Sequence, residues 1–176
     1  MSINEELQEH AEHANDSFTR RAGATMAIIA AVLAVVAVAG HLTTTEELLM
    51  QLRASDQWAF YQSKTSRRYQ SEVARDLIIA TPGQSAAKTA EKYSANMERY
   101  EKEAEAIQEK ANEFVKEGEL AGRKALRLHI GEIFLELAIV FSSLAILTRK
   151  RSFWATGVAS ALIGVAVSAT IFLMQH

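Results

Sequence analysis

The sequence contains no cysteine, one proline and eight scattered glycines, and each shortage excludes a class of protein. Without cysteine there are no disulfides, thiol nucleophiles or thiolate metal sites. The single proline, Pro82, and the scarcity of alternating β-branched residues favour an all-α fold. The glycines form no phosphate-binding loop, and no nucleophile or metalloprotease motif is present. We therefore predict that the chain is not an enzyme and that it uses no cofactor, metal or small-molecule substrate.

Charged side chains are missing from two long stretches, 22–42 and 152–176. An uncharged run of about 20 residues is typical of a transmembrane helix, because that length spans a hydrocarbon core of ~30 Å. A third stretch, 130–148, is interrupted only by Glu132 and Glu136. The formal net charge of −2 argues against a nucleic-acid partner.

These stretches predict three transmembrane helices in a chain of six segments. In order, the segments are a leader at 1–21, a span at 22–42, a helical segment at 43–129, a span at 130–148, a basic turn at 149–152 and a span at 153–174. The first span also has features of a cleavable leader, since Arg20 and Arg21 precede it and Ala37-Val38-Ala39 resembles a cleavage site. Its uncharged run is longer than a usual leader core, so we favour an uncleaved anchor.

Basic residues predict which ends of these helices lie in the cytoplasm. Arg20 and Arg21 precede the first span, and a second cluster fills the turn between the last two spans: Arg149, Lys150 and Arg151. This pattern places the N-terminus and the basic turn in the cytoplasm, and segment 43–129 and the C-terminus outside. Three opposing cations, Arg123, Lys124 and Arg127, lie in a long segment, which weighs less in this rule. Trp154 is typical of a membrane interface.

Segment 43–129 shows the 3.5-residue apolar spacing of coiled-coil helices. In its second half the repeated positions are Ala90, Tyr93, Met97, Tyr100, Ala104, Ile107, Ala111, Phe114, Gly118, Ala121, Ala125 and Leu128. In its first half the best fit is a more polar series: Leu48, Leu52, Ser55, Ala59, Gln62, Ser66, Tyr69, Val73 and Leu77. A break at 81–84 separates the halves, because Pro82 and Gly83 interrupt a helix.

Two helices joined by so short a break favour an antiparallel coiled-coil hairpin outside the membrane. If both series face each other, Tyr69 meets Met97 and Leu52 meets Phe114. We expect Gly118 and Gly122 to be the places where the longer second arm bends.

The stretch SDQWAFYQSK at 55–64 is unusually rich in aromatic residues. On a continuous helix Trp58 lies about 24 Å beyond the first span, which is too far for the headgroup region. The helix also disperses the polar residues of the stretch, so it is not an acid–base site. We predict a contact patch formed by Trp58, Phe60, Tyr61 and Ile107, used either for packing inside the chain or for docking between chains.

Four ionisable residues in or near the second span are candidates for a proton or cation site. Glu132 and Glu136 share one helix face, and His129 and His41 are expected at the same membrane level. An ionisable group within hydrocarbon costs about 2.5–3.5 kcal/mol on insertion scales. In the alternative interpretation Glu132 reaches the membrane surface, and Glu136 forms a hydrogen bond to a serine, threonine or backbone group in the bundle.

Small residues form stripes on two of the spans. The third span carries Gly157, Ala161, Gly164 and Ser168, and the first carries Ala27, Ala31 and Ala34. Such stripes allow close helix packing in lipid, either within one chain or between chains. In the leader, Glu9, His10, Glu12 and His13 favour a solvated helical turn over a metal site, because no cysteine supports them.

Three motifs together resemble a known family. They are the acidic and histidine-rich stretch at 9–14, the aromatic stretch at 55–64, and LTRKRSFW at 147–154. With these motifs the chain resembles an uncharacterised bacterial three-pass membrane family, a domain of unknown function numbered 4337. The resemblance covers nearly the whole chain and implies a location in the bacterial inner membrane. It implies no activity, cofactor or catalytic residue.

The sequence therefore predicts an integral membrane scaffold or accessory protein. It would associate with copies of itself, or with a larger membrane complex, through its hairpin and its small-residue faces. The alternative is a small oligomeric channel or transport accessory in which Glu132 and Glu136 line a pathway. The direction in which these two carboxylates point distinguishes the two functions.

Overall fold

The structure is a computed structural model. It describes the backbone of residues 3–81, 83 and 85–174, and the side chains of that set from residue 17 onward. The elements are α1 (Ile3–Ala80), α2 (Ala86–Thr148), α3 (Arg151–Ala169) and a short 3₁₀ helix, Thr170–Leu173. Within the described residues there is no strand. The prediction of an all-α protein with three helices, two of them long and packed against each other, is confirmed.

Each of the three helices is long and apolar enough to cross a membrane. In the most apolar window of each helix, at most 28% of the residues are buried within the chain. Most of the residues in these windows are therefore exposed or half-buried, which is the reverse of the arrangement in a water-soluble core.

The residues form two compact units. The first, called the apolar unit, consists of Met1–Thr44 and Gly122–His176, and the second, called the charged unit, consists of Thr45–Ala121. The long helices α1 and α2 contribute to both units, while α3 lies only in the apolar unit.

In the apolar unit, a small core joins the three helices. Its buried residues are Ile29, Val36, Leu128, Leu135, Ala138 and Ala161. Leu135 is fully buried, and so is Ser142 one turn beyond the core, whose hydroxyl donates a hydrogen bond to the Ala138 carbonyl at 2.8 Å. Buried hydroxyls satisfied by their own helix do not disturb apolar packing.

In the charged unit, α1 and α2 run antiparallel. Lys64 forms an ion pair with Glu103 and Arg68 with Glu101, so later positions of α1 meet earlier positions of α2. The α2 positions of the predicted apolar series are all buried or half-buried, as expected.

The predicted series on α1 is wrong. Leu52, Tyr69 and Val73 are 65%, 54% and 68% exposed and point away from α2. The side of α1 that packs on α2 instead contains Ala54 and Ser71, which are buried, and Lys64 and Arg68, which are half-buried. Small residues allow close approach, and long cationic side chains cover apolar surface with their stems while their charges reach the acids of α2. Accordingly Arg53, not Leu52, lies over the Phe114 ring, at 5.9 Å.

Gly118 lies where α2 passes α1. The helix α2 continues without interruption through both Gly118 and Gly122. A Cβ atom at Gly118 would lie 3.3 Å from Met50 Cβ and 3.7 Å from the Glu47 carbonyl oxygen. Its missing side chain therefore serves close packing of the two helices.

Candidate functional site

A polar cluster lies in the apolar unit where α1 faces α2. The imidazole of His129 lies between two oxygen atoms, with its Nε2 3.1 Å from Thr44 Oγ1 and its Nδ1 3.2 Å from Glu132 Oε2. The side chains of His129 and Glu132 are 42% and 22% exposed. The cluster is therefore only partly shielded from its surroundings.

Thr44 links the cluster to the backbone of α1. Its Oγ1 lies 3.0 Å from the Gly40 carbonyl oxygen as well as 3.1 Å from His129 Nε2. A hydroxyl can donate one hydrogen bond and accept others, and an imidazole nitrogen can act as donor or acceptor, so all three contacts can be satisfied together. The imidazole is therefore held from both sides, by Thr44 of α1 and by Glu132 of its own helix.

Gly40 makes room for this cluster. A Cβ atom at position 40 would lie 3.3 Å from Cε1 and 3.5 Å from Nδ1 of the His129 ring. A larger residue would push the ring out of line with Thr44 and Glu132. The backbone of α1 thus positions the imidazole through both a glycine and a threonine.

Glu136 does not join the cluster. It is exposed and, within the described residues, makes no hydrogen bond or ion pair. It lies between Ile133 and Val140, which are 55% and 53% exposed, on an outward apolar face of α2. His41 is also exposed and has an interaction of its own. The structure therefore brings His129 and Glu132 together and leaves Glu136 apart from them.

The described side chains include no group of three acidic or histidine residues arranged to hold a metal ion. The leader residues Glu9, His10, Glu12 and His13 lie outside the described side chains.

The small residues of α3 pack against α2. Gly157, Ala161, Gly164 and Ser168 are all buried. A Cβ atom at Gly164 would lie 2.7 Å from the Gly131 carbonyl oxygen, and one at Gly157 would lie 3.0 Å from the Ala138 carbonyl oxygen. Ser160 adds a hydrogen bond across the pair, since its hydroxyl donates to the Phe134 carbonyl at 2.7 Å. This stripe is thus used within the chain.

The small residues of α1 are placed differently. Ala27, Ala31 and Ala34 are all exposed, and Ala30 beside them is exposed too. They leave a narrow outward surface on α1 that no other helix of the chain covers.

A tight basic turn connects α2 to α3. Arg149 adopts a left-handed backbone conformation with φ 54°, which ends α2, and Lys150 is extended before α3 begins at Arg151. All three cations are exposed, as are Arg20 and Arg21. Trp154 is half-buried, and its indole N–H donates to Thr25 Oγ1 at 3.4 Å, which joins α3 to α1.

In the charged unit, the aromatic patch is only partly assembled. The rings of Trp58 and Tyr61 meet edge to face with centroids 5.5 Å apart, and both residues are half-buried. Ile107 is half-buried on α2, whereas Phe60 is 58% exposed. Trp58 and Val115 help to line a cavity of about 450 Å³ beside the helix pair.

One carboxyl of the charged unit has a shifted pKa. The hydrogen bond from the Lys64 ammonium holds the pKa of Glu103 below its ordinary value, although desolvation acts in the opposite direction. The positive charges of Lys64, Arg99 and Arg67 act in the same direction as that hydrogen bond. Glu103 is therefore ionised at neutral pH and holds α1 against α2.

Four residues of these arrangements were not singled out by sequence analysis: Gly40, Thr44, Gly131 and Ser160. Glycine within a helix lowers the stability of the helix by about 1 kcal/mol relative to alanine. The presence of Gly40 and Gly131 in apolar helical stretches could therefore have indicated close packing at those positions. Thr44 carried no such signal, because its role depends on a residue 85 positions away.

One protein family matches this chain. Its model, described as Domain of unknown function (DUF4337), matches residues 18–174. No curated protein and no solved structure shows significant similarity to the chain.

Proposed function

The chain belongs to the DUF4337 family, a domain of unknown function, and we propose that it is a membrane-embedded scaffold that associates with copies of itself. The apolar unit supplies the membrane anchor. Its three helices have the length and composition to cross a membrane, and most residues of their apolar windows are not buried within the chain, so that lipid could cover them.

In this proposal the charged unit is an antiparallel coiled-coil hairpin that stands outside the membrane. Its surface carries charged residues of both signs, and ion pairs such as Lys64–Glu103 join its two helices. Those properties suit a water-exposed helical pair. The basic residues at 20–21 and 149–151 favour a bacterial inner-membrane orientation with these clusters in the cytoplasm.

The observation that carries the scaffold function is the uncovered apolar face of α1 in the charged unit. Leu48, Leu52, Tyr69, Val73 and Leu77 are each more than half exposed. Exposed apolar patches rimmed by polar residues are typical of protein–protein contacts. The cationic side of α1 packs against α2, so the apolar side of α1 remains available to bind another protein.

Native mass spectrometry of the full-length protein, extracted from its own membrane in mild detergent, tests this function. We expect a homo-oligomer that survives dilution. A monomer without any co-purifying subunit would overturn the scaffold function.

A second function is favoured by Glu136. This carboxyl has no partner among the described residues and lies on an outward apolar face, where lipid contact would be costly. Water in a pathway between protomers would remove that cost. In this alternative the protein is a small oligomeric channel or transport accessory, with Glu132 and Glu136 along the pathway.

Ion flux across proteoliposomes separates the two functions. A channel predicts flux through the unmodified protein that falls several-fold in Glu136→Gln, with an unchanged oligomer. The matched control is Glu105→Gln, an exposed carboxylate in the charged unit. Flux no greater than that of protein-free liposomes would reject the channel and leave the scaffold.

A further inference from the structure

We infer that the outward face of α1 in the charged unit is occupied by the same face of a second copy, parallel and in register. This inference rests on the proposed self-association and specifies its surface, occupant and direction. The surface, called here the outer stripe, consists of Leu48, Leu52, Ser55, Ala59, Gln62, Ser66, Tyr69 and Val73.

The spacing of the outer stripe points to a helix as its occupant. Its members alternate in steps of four and three residues, which is the 3.5-residue repeat that keeps a seam facing a partner helix. All eight residues are exposed, and none of them is charged. A groove of about 750 Å³ follows part of the stripe, where Tyr69, Val73 and Leu77 are among its lining residues. Within this chain α2 occupies the other side of α1 and leaves the stripe free.

The sizes of the side chains favour close approach of two helices. Three small residues, Ser55, Ala59 and Ser66, surround Gln62 in the middle of the stripe, while larger residues, among them Leu52 and Val73, lie toward its ends. Small residues let helix backbones come together, and leucine and valine then close the ends of the contact.

The residues beside the stripe fit a parallel copy. In a parallel coiled coil each residue on one flank meets the residue five positions later on the opposite flank of the partner. These pairs are Gln51 with Asp56, Trp58 with Ser63, Thr65 with Gln70 and Glu72 with Leu77. No pair joins like charges, so nothing along the flanks repels a parallel copy. Copies inserted in one membrane with one orientation are parallel in any case.

Gln62 provides a means of fixing the register. A parallel copy in register places Gln62 opposite the Gln62 of the other protomer. An amide both donates and accepts hydrogen bonds, so two glutamines can satisfy each other, whereas a shift by one heptad replaces this amide pair by contacts with Ser55 and Tyr69. A polar residue at a seam position is a known determinant of register and oligomer number.

The same spacing continues in the sequence toward the apolar unit. Thr45, His41, Val38, Ala34, Ala31 and Ala27 precede Leu48 in steps of three and four, and each is exposed. The alanines of the first span therefore continue the spacing of the outer stripe in the sequence, and they suit close helix packing in lipid.

Disulfide crosslinking tests this inference, because the chain has no cysteine of its own. Ser55→Cys and Ser66→Cys each place one thiol on the outer stripe with a minimal change of size. The control is Arg67→Cys, a thiol at an exposed position of α1 outside both the stripe and the aromatic patch. Each full-length variant is oxidised in its own membrane and analysed by non-reducing electrophoresis.

We expect Ser55→Cys and Ser66→Cys to form homodimers with a yield several-fold above that of Arg67→Cys. If all three cysteine variants crosslink equally while native mass spectrometry still detects an oligomer, the outer stripe is not the interface, but the scaffold function stands. Crosslinks formed only when the two serine variants are mixed would overturn the parallel direction. Crosslinks to a different protein would overturn the second copy as occupant. If the unmodified protein forms no oligomer, both this inference and the proposed scaffold function are wrong.

Gln62→Leu tests the register independently. Without the amide, the seam gains apolar contact but loses its register determinant. We therefore expect the single oligomer to become a mixture of oligomer numbers, or the Ser66→Cys crosslink yield to fall at least twofold in the double variant. An unchanged oligomer and an unchanged crosslink yield would contradict the role of Gln62.

Discussion

Individual glycines allow the helices of the apolar unit to pack closely, because they have no side chain to separate the two backbones. The clearest case is Gly164, where a Cβ atom would lie 2.7 Å from the Gly131 carbonyl oxygen and 3.0 Å from Leu135 Cγ. The nearest obstacle is backbone, which cannot rotate away as a side chain can. A methyl group at this position therefore has to separate α2 from α3.

Gly164→Ala should destabilise the protein by about 1–3 kcal/mol, the usual cost of overpacking. Gly23→Ala is the matched control, because no atom lies within 4 Å of a Cβ atom at Gly23. Alanine favours the helix at both positions, so the difference between the variants reports the contact alone. Thermal unfolding in detergent, followed by circular dichroism, measures it. Equal melting temperatures for the two variants would contradict the close contact.

Residue types predicted this packing better than they predicted the polar cluster. Gly157 and Gly164 are separated by two helical turns on an uncharged helix, and that spacing alone indicated a packing face. The sequence identified His129 and Glu132 as polar neighbours but also grouped them with Glu136 and His41. Which of these side chains point inward depends on how far α2 is rotated against α1, and one helix alone does not fix that rotation.

Contacts between α1 and α2 in the charged unit are partly electrostatic. Lys64 lies between Glu103, with which it forms an ion pair, and the Tyr100 ring, whose centroid is 5.7 Å from its nitrogen. Because the pKa of Glu103 is lowered in the folded protein, ionised Glu103 stabilises the fold. This contribution is fully present above the ordinary pKa of 4.5 and is lost as the pH falls through the lowered value.

Glu103→Gln should therefore lower the melting temperature slightly at neutral pH, because an exposed ion pair contributes little. The control is Glu105→Gln, an exposed acid on the same helix. As the pH falls below the lowered pKa of Glu103, the difference between this variant and the unmodified protein should disappear. A difference that persists or grows in acid would contradict the assigned role of the carboxylate.

The two long helices differ in how well their sequences predicted their faces. On α2 the most apolar series of the charged unit is also the one that packs on α1. On α1 the most apolar series faces outward, and the packed side contains Ala54, Lys64, Arg68 and Ser71. A 3.5-residue repeat predicts that one face of a helix packs against another helix. It does not say whether the partner belongs to the same chain.

For the whole molecule, the proposed orientation places the charged unit and the basic turn on opposite sides of one membrane. Single introduced cysteines test this orientation directly, since the unmodified chain has no thiol that a reagent could label. Ser63 in the charged unit and Ser152 at the start of α3 are both exposed. We expect a membrane-impermeant maleimide to label Ser63→Cys in intact cells, and Ser152→Cys only after permeabilisation.

The unmodified protein and a permeabilised sample of each variant are the controls. Labelling in the reverse order would mean that the orientation is inverted. Equal labelling of both variants in intact cells would contradict a membrane between the two positions.

The basic turn contains a conflict between shape and charge. Arg149 holds φ 54°, a conformation that costs an ordinary residue roughly 1–2 kcal/mol and glycine almost nothing. Glycine at this position would relax the turn, but it would also remove one of three adjacent cations. The chain thus bears a local conformational penalty at the point where, in the proposed orientation, positive charge keeps the turn in the cytoplasm. A variant selected only for resistance to heat would drift toward glycine here, and would weaken the signal that orients the chain during synthesis.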